Sequence, residues 1–266
     1  MLVDTHCHLD AAEFDGDRDA VVQAATRAGV RVIIVPAVYP GNFAAVRQCC
    51  ASYSICRAAY GIHPLYLQQV DTADVSALRA WLKKELDGPC PPVAVGEIGL
   101  DFFVPDFDAA RQESFFVEQL EIARDCGLPV LLHVRRAVDR VLKHVRRAGV
   151  RGGIAHAFNG SRQQADEFLR LGFKLGFGGA MTFPHATRIR ELAAALPSEA
   201  IVLETDAPDM PPAWLAGKRN APAELARVAG VLAELRGVSA AGVANATTHN
   251  AQTLFAPMDV IRADYP

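Results

Sequence analysis

Six residues of types that hold divalent metals lie at or near the ends of short apolar runs, spread from residue 6 to residue 206: His6, His8, Glu97, His133, His156 and Asp206. The first two sit in Asp4-Thr5-His6-Cys7-His8. Residues i and i+2 of an extended strand face one side, so both imidazoles can chelate one ion while Cys7 turns the other way. The remaining ligands repeat one design. Val93 to Glu97, Pro129 to His133, Gly153 to His156 and Ile201 to Asp206 each run an apolar segment into a ligand residue, which places it at the C-terminal end of an expected strand. A lone strand-end histidine is ordinarily a hydrogen-bonded structural residue, whereas this repeated arrangement points to a metal site.

Four imidazoles and two carboxylates exceed the usual needs of one catalytic zinc, which takes three protein ligands and keeps a position open. Two ions absorb the count. With Glu97 as bridge, one takes His6, His8, Glu97 and Asp206, and the other takes Glu97, His133 and His156. Ions paired in this way, about 3.5–4 Å apart, activate water near neutral pH and polarise the group under attack, which is the chemistry of a hydrolase. Nitrogen-rich ligation without thiolate favours zinc, manganese, cobalt or nickel over magnesium and does not choose among them. Asp206 is expected to act as catalytic proton acceptor as well as ligand.

For such scattered residues to meet, the chain must bring strand ends to one mouth. Eight apolar runs do this: Leu2 to Thr5, Arg31 to Val38, Ile55 to Ile62, Val93 to Ile98, Val130 to Val134, Gly153 to Phe158, Phe173 to Gly178 and Ile201 to Thr205. They read as continuously hydrophobic, as parallel strands covered on both faces do. Between them lie helical stripes such as Val75, Leu78, Trp81 and Leu82, closed by Gly88, and Phe115, Phe116, Gln119, Leu120 and Ala123, closed by Gly127. This predicts a single α/β domain, a (β/α)8 TIM barrel, over residues 1–256 with a C-terminal tail over 257–266. The last strand leads into a connection stiffened by Pro208, Pro211 and Pro212.

Other residues near the expected mouth are candidates for supporting roles. His63, in Gly61-Ile62-His63-Pro64, follows the third strand and is expected to touch substrate or support a ligand. Arg135 stands two residues beyond His133, on its face, where a guanidinium can grip a phosphate in bidentate fashion. Arg136 is expected to point away. Asp101 either orients a ligand histidine or caps the following helix. Asn159-Gly160-Ser161 reads equally as a plain N-cap or as a phosphate-binding helix start. Phe102 and Phe103 are read as packing, with base stacking as the alternative. His144, His185 and His249 are read as structural residues in helical surroundings.

Composition narrows the function. The 266-residue chain has a net charge of −3, which excludes a protein that coats nucleic acid through a global basic field. Small basic clusters occur at Lys83-Lys84, Arg135-Arg136, Arg146-Arg147 and Lys218-Arg219. Six cysteines without zinc spacing read as reduced, inert thiols. No apolar run has the length of a membrane span, and the first ligand strand begins at Leu2, leaving no space for a removable leader. A cytoplasmic protein without an obligate protein partner is therefore expected.

Taken together, Asp4-Thr5-His6-Cys7-His8-Leu9-Asp10, Gly61-Ile62-His63-Pro64, Gly96-Glu97-Ile98-Gly99-Leu100-Asp101, His133 with Arg135, His156 to Ser161, Glu204-Thr205-Asp206-Ala207-Pro208 and a late Asn250 to Phe255 segment resemble the TatD family of metal-dependent deoxyribonucleases, within the amidohydrolase-like barrels. The resemblance covers nearly the whole chain. It implies divalent-metal hydrolysis of phosphodiesters or phosphates, commonly on DNA, with His6, His8, Glu97, His133, His156 and Asp206 as the metal residues. Compared with the family pattern, Val134 replaces a common Ser, Phe102-Phe103 replace tyrosines, Asp209 replaces an aromatic residue, and Ala221 stands where many members carry Glu. The weak overall charge favours DNA ends or small phosphoesters as substrates over long duplexes. The rival readings are an amidohydrolase-type lactonase or amidase, and a non-catalytic binding protein on the same scaffold.

Overall fold

The computed structural model describes residues 1–215 and 217–255; the expected tail over 257–266 and the domain boundary at 256 lie outside the described residues. Eight parallel strands follow one another around a sheet in chain order: β1 (Leu2–Asp4), β2 (Val30–Pro36), β3 (Cys56–Tyr60), β4 (Ala94–Asp101), β5 (Val130–Arg135), β6 (Gly153–Ala155), β7 (Phe173–Phe177) and β8 (Ile201–Leu203). Backbone bonds just beyond β1 and β8 draw the sheet into a barrel. Thr5 N–H donates to the Leu203 carbonyl at 3.0 Å, and Asp206 N–H donates to the His6 carbonyl at 2.8 Å. The Asp4 carboxylate reinforces this seam by accepting from the Thr205 N–H at 2.9 Å and hydroxyl at 2.6 Å.

Each strand leads to a helix: α1 (Arg18–Arg27), α2 (Phe43–Ser52), α3 (Thr72–Leu86), α4 (Ala109–Cys126), α5 (Val138–Ala148), α6 (Arg162–Arg170), α7 (Thr187–Ala195) and α8 (Leu225–Arg236), followed by α9 (Ala240–Leu254). Strand pleating separates two cores. Ile33, Val35, Ala58, Val95, Leu132, Leu175 and Leu203 face outward into the layer shared with the helices. Val3, Val32, Ile34, Ala59, Ala94, Leu131, Ile154 and Val202 fill the barrel interior with Ala251 and Leu254 of α9 and Phe255, which caps it. Asn250 fastens α9 to the start of β8 by donating to the carbonyls of Ser198 and Ile201, each at 2.7 Å, and Thr248 donates to the Met1 carbonyl at 3.0 Å. Thus α9 closes the N-terminal end of the barrel and leaves the C-terminal mouth open to function.

The strands differ from their predicted limits at the ends that matter most. β4 and β5 run further than expected, paired in register as far as Asp101 with Arg135, so Glu97 and His133 lie inside strands and not at their ends. A register shift between Val95 and Ile98 interrupts regular pairing at Glu97. β1, β6 and β8 stop early, placing His6, His8, His156 and Asp206 on the connections just beyond them. No described helix is long and apolar enough to cross a membrane.

Candidate metal centre

Glu97 is the hub of the mouth, and its two carboxylate oxygens face different partners. Oε2 lies 3.1 Å from His6 Nε2 and 3.6 Å from His8 Nε2. Oε1 lies 3.0 Å from His133 Nδ1, 3.0 Å from His156 Nε2 and 3.4 Å from His63 Nε2. Asp206 joins the first half, with Oδ1 3.6 Å from His6 Nε2 and 3.7 Å from His8 Nε2. All six sequence-predicted metal residues therefore converge. The His6 and His156 rings stack at 4.1 Å between centroids and link the halves. Cys7 points away and is fully buried in the outer core.

The carboxylate and the imidazoles shift one another strongly. Burial alone would raise the Glu97 pKa, but His6, His63, His156 and the hydrogen bond to His133 hold it well below the usual carboxylate range. Burial and the neighbouring His156 lower His6 to about 4. Burial also disfavours charge on His156, yet the Glu97 carboxylate overcomes it and raises that imidazole to about 10. The buried carboxylate thus favours positive charge on the ring facing it, and the histidines oppose charge on one another. The His6 and His8 Nε2 atoms face each other at 3.3 Å beside this carboxylate, a concentration of donor atoms suited to a divalent cation.

Hydrogen bonds on the far side of the rings set which nitrogen looks inward. His133 Nε2 lies 2.9 Å from Asp101 Oδ2, and with a proton held there the ring would offer Nδ1, which here bonds Glu97, to a bound cation. Asp101 thereby fulfils the orienting alternative, while its other oxygen accepts from Phe103 N–H at 2.9 Å. His156 Nδ1 faces Glu204 Oε1 at 3.8 Å. His63 differs from the others. Its Nδ1 accepts the Leu65 N–H at 3.1 Å, so the neutral ring carries its proton on Nε2 and presents a donor, not a lone pair, to the centre.

Several positioning residues escaped sequence reasoning. Gln112 and Gln119 lie seven residues apart on α4, within its apolar stripe, and each grips a strand end by both amide atoms. Gln119 accepts from Ile62 N–H at 2.6 Å and donates to its carbonyl at 3.1 Å, fixing the residue before His63. Gln112 does the same for Asp101, at 2.8 and 2.9 Å. Glu204 is fully buried behind His156, accepts from Ala157 N–H, and is pushed up by burial to about 8 despite the opposing effects of His156 and that amide. Gly176 leaves it room, since a Cβ there would strike the Glu204 carboxyl. Buried Asn220 ties the β8–α8 connection by donating to the Thr205 and Asp209 carbonyls at 2.8 and 2.9 Å.

Other expectations need correction. Arg136 does not point away from Arg135. Its left-handed backbone (φ +53°) breaks strand alternation, and both guanidinium groups lie against the Phe103 ring, at 3.7 Å for Arg135 and 4.5 Å for Arg136. Phe103 is exposed, whereas Phe102 stacks on Phe107. Ser161 N-caps α6 in a capping box with Gln164, in keeping with the first of its two readings. His185 lies on the exposed β7–α7 connection beside Phe183, outside any helix. His144 bonds Glu113 on the neighbouring helix and is structural, as expected.

Comparison with known proteins agrees with this architecture. The family model described as TatD related DNase matches residues 3–256. The metal-dependent hydrolase YjjV of Escherichia coli K12 is 44% identical over 255 residues, covering 96% of this chain and 97% of that protein. Its crystal structure superposes with a TM-score of 0.91. The 3'-5' ssDNA/RNA exonuclease TatD of the same organism is 32% identical over 261 residues, covering 96% of this chain and 98% of that protein.

Proposed function

This chain belongs to the TatD-related DNase family, and on that premise we propose that it is a divalent-metal-dependent phosphoesterase trimming DNA ends or small phosphodiesters. The observation that carries the reading is the division of Glu97, one carboxylate oxygen toward His6 and His8 and the other toward His133 and His156. Two ions are assigned, the first to His6, His8, Asp206 and Glu97, the second to His133, His156 and Glu97. Zinc, manganese, cobalt, nickel and magnesium are the candidates. When bound, such ions supply Lewis acidity and a water of lowered pKa.

The chain's own residues do the rest. Glu97 stays ionised through its imidazole neighbours and holds both halves at a fixed separation. Asp206, the partly exposed carboxylate of the pair, accepts the proton released from attacking water. His63 donates from Nε2 to a substrate oxygen, and its tautomer is the reason it is assigned to substrate and not to metal. Arg135 grips a phosphate from the rim, a preference for phosphoryl over carbonyl substrates that argues against a lactonase.

The test is hydrolysis by purified protein with and without added divalent metal, comparing single-stranded DNA with a free 3′ end, a simple phosphodiester and a lactone, with His133→Ala as control. Metal-dependent trimming of DNA that the substitution removes is the expected result. Lactone turnover with inert phosphoesters would keep the centre and overturn the substrate.

A further inference from the structure

The rim of the mouth is electrically divided. On the β4 and β5 side, Arg135 and Arg136 are exposed and pair with no carboxylate among the described residues, both resting on the exposed Phe103 ring. On the β1 and β8 side stand Asp10, Glu13 and Asp209. Burial raises Asp209, and the nearby charges of Asp206 and Glu13 raise it further against the opposing effect of His8. Among the cations of that side, Arg219 is taken up by Asp17 at 2.6 Å and Arg18 by Asp15 at 2.7 Å. A phosphodiester chain is attracted by the first wall and repelled by most of the second.

The geometry of β5 connects this wall to the chemistry. His133 and Arg135 share a face, so Arg135 lies one pleat repeat outward from the centre, about 6.6 Å along the strand. Regular alternation would send Arg136 to the helix layer. Its left-handed φ of +53° returns the guanidinium to the ring that Arg135 already covers. Two unneutralised guanidinium groups held on an aromatic surface are preorganised for phosphate, since the ring restricts them and no carboxylate competes.

We infer that the polynucleotide beyond the scissile phosphate runs across Arg135, Phe103 and Arg136, and that Arg136 is a specificity determinant for a phosphodiester chain over a small phosphoester. This rests on the phosphoesterase reading and deepens it. The acidic wall opposite repels a second run of phosphates, so the strand extends from the centre in one direction.

The test is binding of a hydrolysis-resistant phosphorothioate single-stranded oligodeoxynucleotide to the metal-loaded protein, by fluorescence anisotropy across a salt series. Arg136→Asn, a residue that tolerates the left-handed backbone, is expected to weaken binding about tenfold. It should also lower the slope of log affinity against log salt by about 0.7, the share of one single-strand phosphate contact. Arg136→Lys should restore that slope. Arg147→Ala, an exposed cation on α5, should leave both quantities unchanged. A wild-type slope in Arg136→Asn, or an equal loss in Arg147→Ala, overturns the inference. Wild-type hydrolysis of a simple phosphodiester, run alongside, separates the two claims. Hydrolysis with Arg136-independent binding defeats the strand path alone, whereas Arg136-dependent binding without any hydrolysis defeats the phosphoesterase reading and leaves the path standing.

Discussion

The two ends of this barrel are made from neighbouring residues of the same strands and have opposite chemistry. In β5 the apolar interior ends at Leu131 and the polar centre begins at His133; in β6 the corresponding residues are Ile154 and His156, and beyond β8 they are Val202 and Glu204. At the lower end Ala251 and Leu254 of α9, with its cap Phe255, seal an apolar core. At the upper end buried carboxylates and imidazoles crowd together. A centre of that kind disfavours the fold by its desolvation, and the apolar end offsets it. Function and stability are therefore expected to respond to different substitutions only one pleat step apart.

The strongest way to break that contrast is to change the upper end and look for damage below. Asp206→Asn should reduce kcat by about 10²–10⁴-fold while the thermal midpoint of the metal-free protein stays near wild type. A comparable loss of stability would show that the two ends are not separable. Removing the lower seal is the converse. Phe255→Ala should destabilise by about 3–5 kcal/mol in denaturant unfolding. The protein that remains folded should bind metal with unchanged stoichiometry, measured by equilibrium dialysis.

Residues between the extremes sharpen the boundary. Glu204→Gln keeps the shape but removes a carboxylate behind His156, and should weaken metal binding about 10–100-fold, read by competition with a chromogenic chelator. Unchanged affinity would return Glu204 to a purely structural role. The smallest effect is expected at Gln119→Leu. It leaves the Ile62 amide and carbonyl without their partner, costs about 1–3 kcal/mol, and raises KM more than it lowers kcat because His63 shifts. A stability loss with untouched kinetics would refute its positioning role.

Much of this was legible in the chain because strand-end ligands follow a simple rule. The eight apolar runs and the residues from His6 to Asp206 needed only the barrel to bring them together. What stayed hidden had local disguises. Gln112 and Gln119 occupy core positions of an amphipathic helix, where a stripe analysis absorbs them, although two buried amides seven residues apart in an apolar face were a signal. Glu204 lay inside a run read for its final Asp206. Arg136 was misplaced because alternation assumes extended backbone, and a left-handed residue reverses the side chain's direction without any glycine to announce it. The overrun of β4 and β5 depended on cross-strand pairing as far as Asp101 and Arg135, which single-strand patterns do not contain.

The seam between Asp4 and Thr205 sets a schedule for the growing polypeptide. The residues that close the barrel beside His6 and His8, Thr205 and Asp206, are made some two hundred residues after them. At about 5–20 residues per second, the first imidazoles wait roughly 10–40 s for their partners. Throughout that interval a nascent chain exposes parallel strands without their last neighbour, so the period before β8 emerges is when this protein has most need of a chaperone.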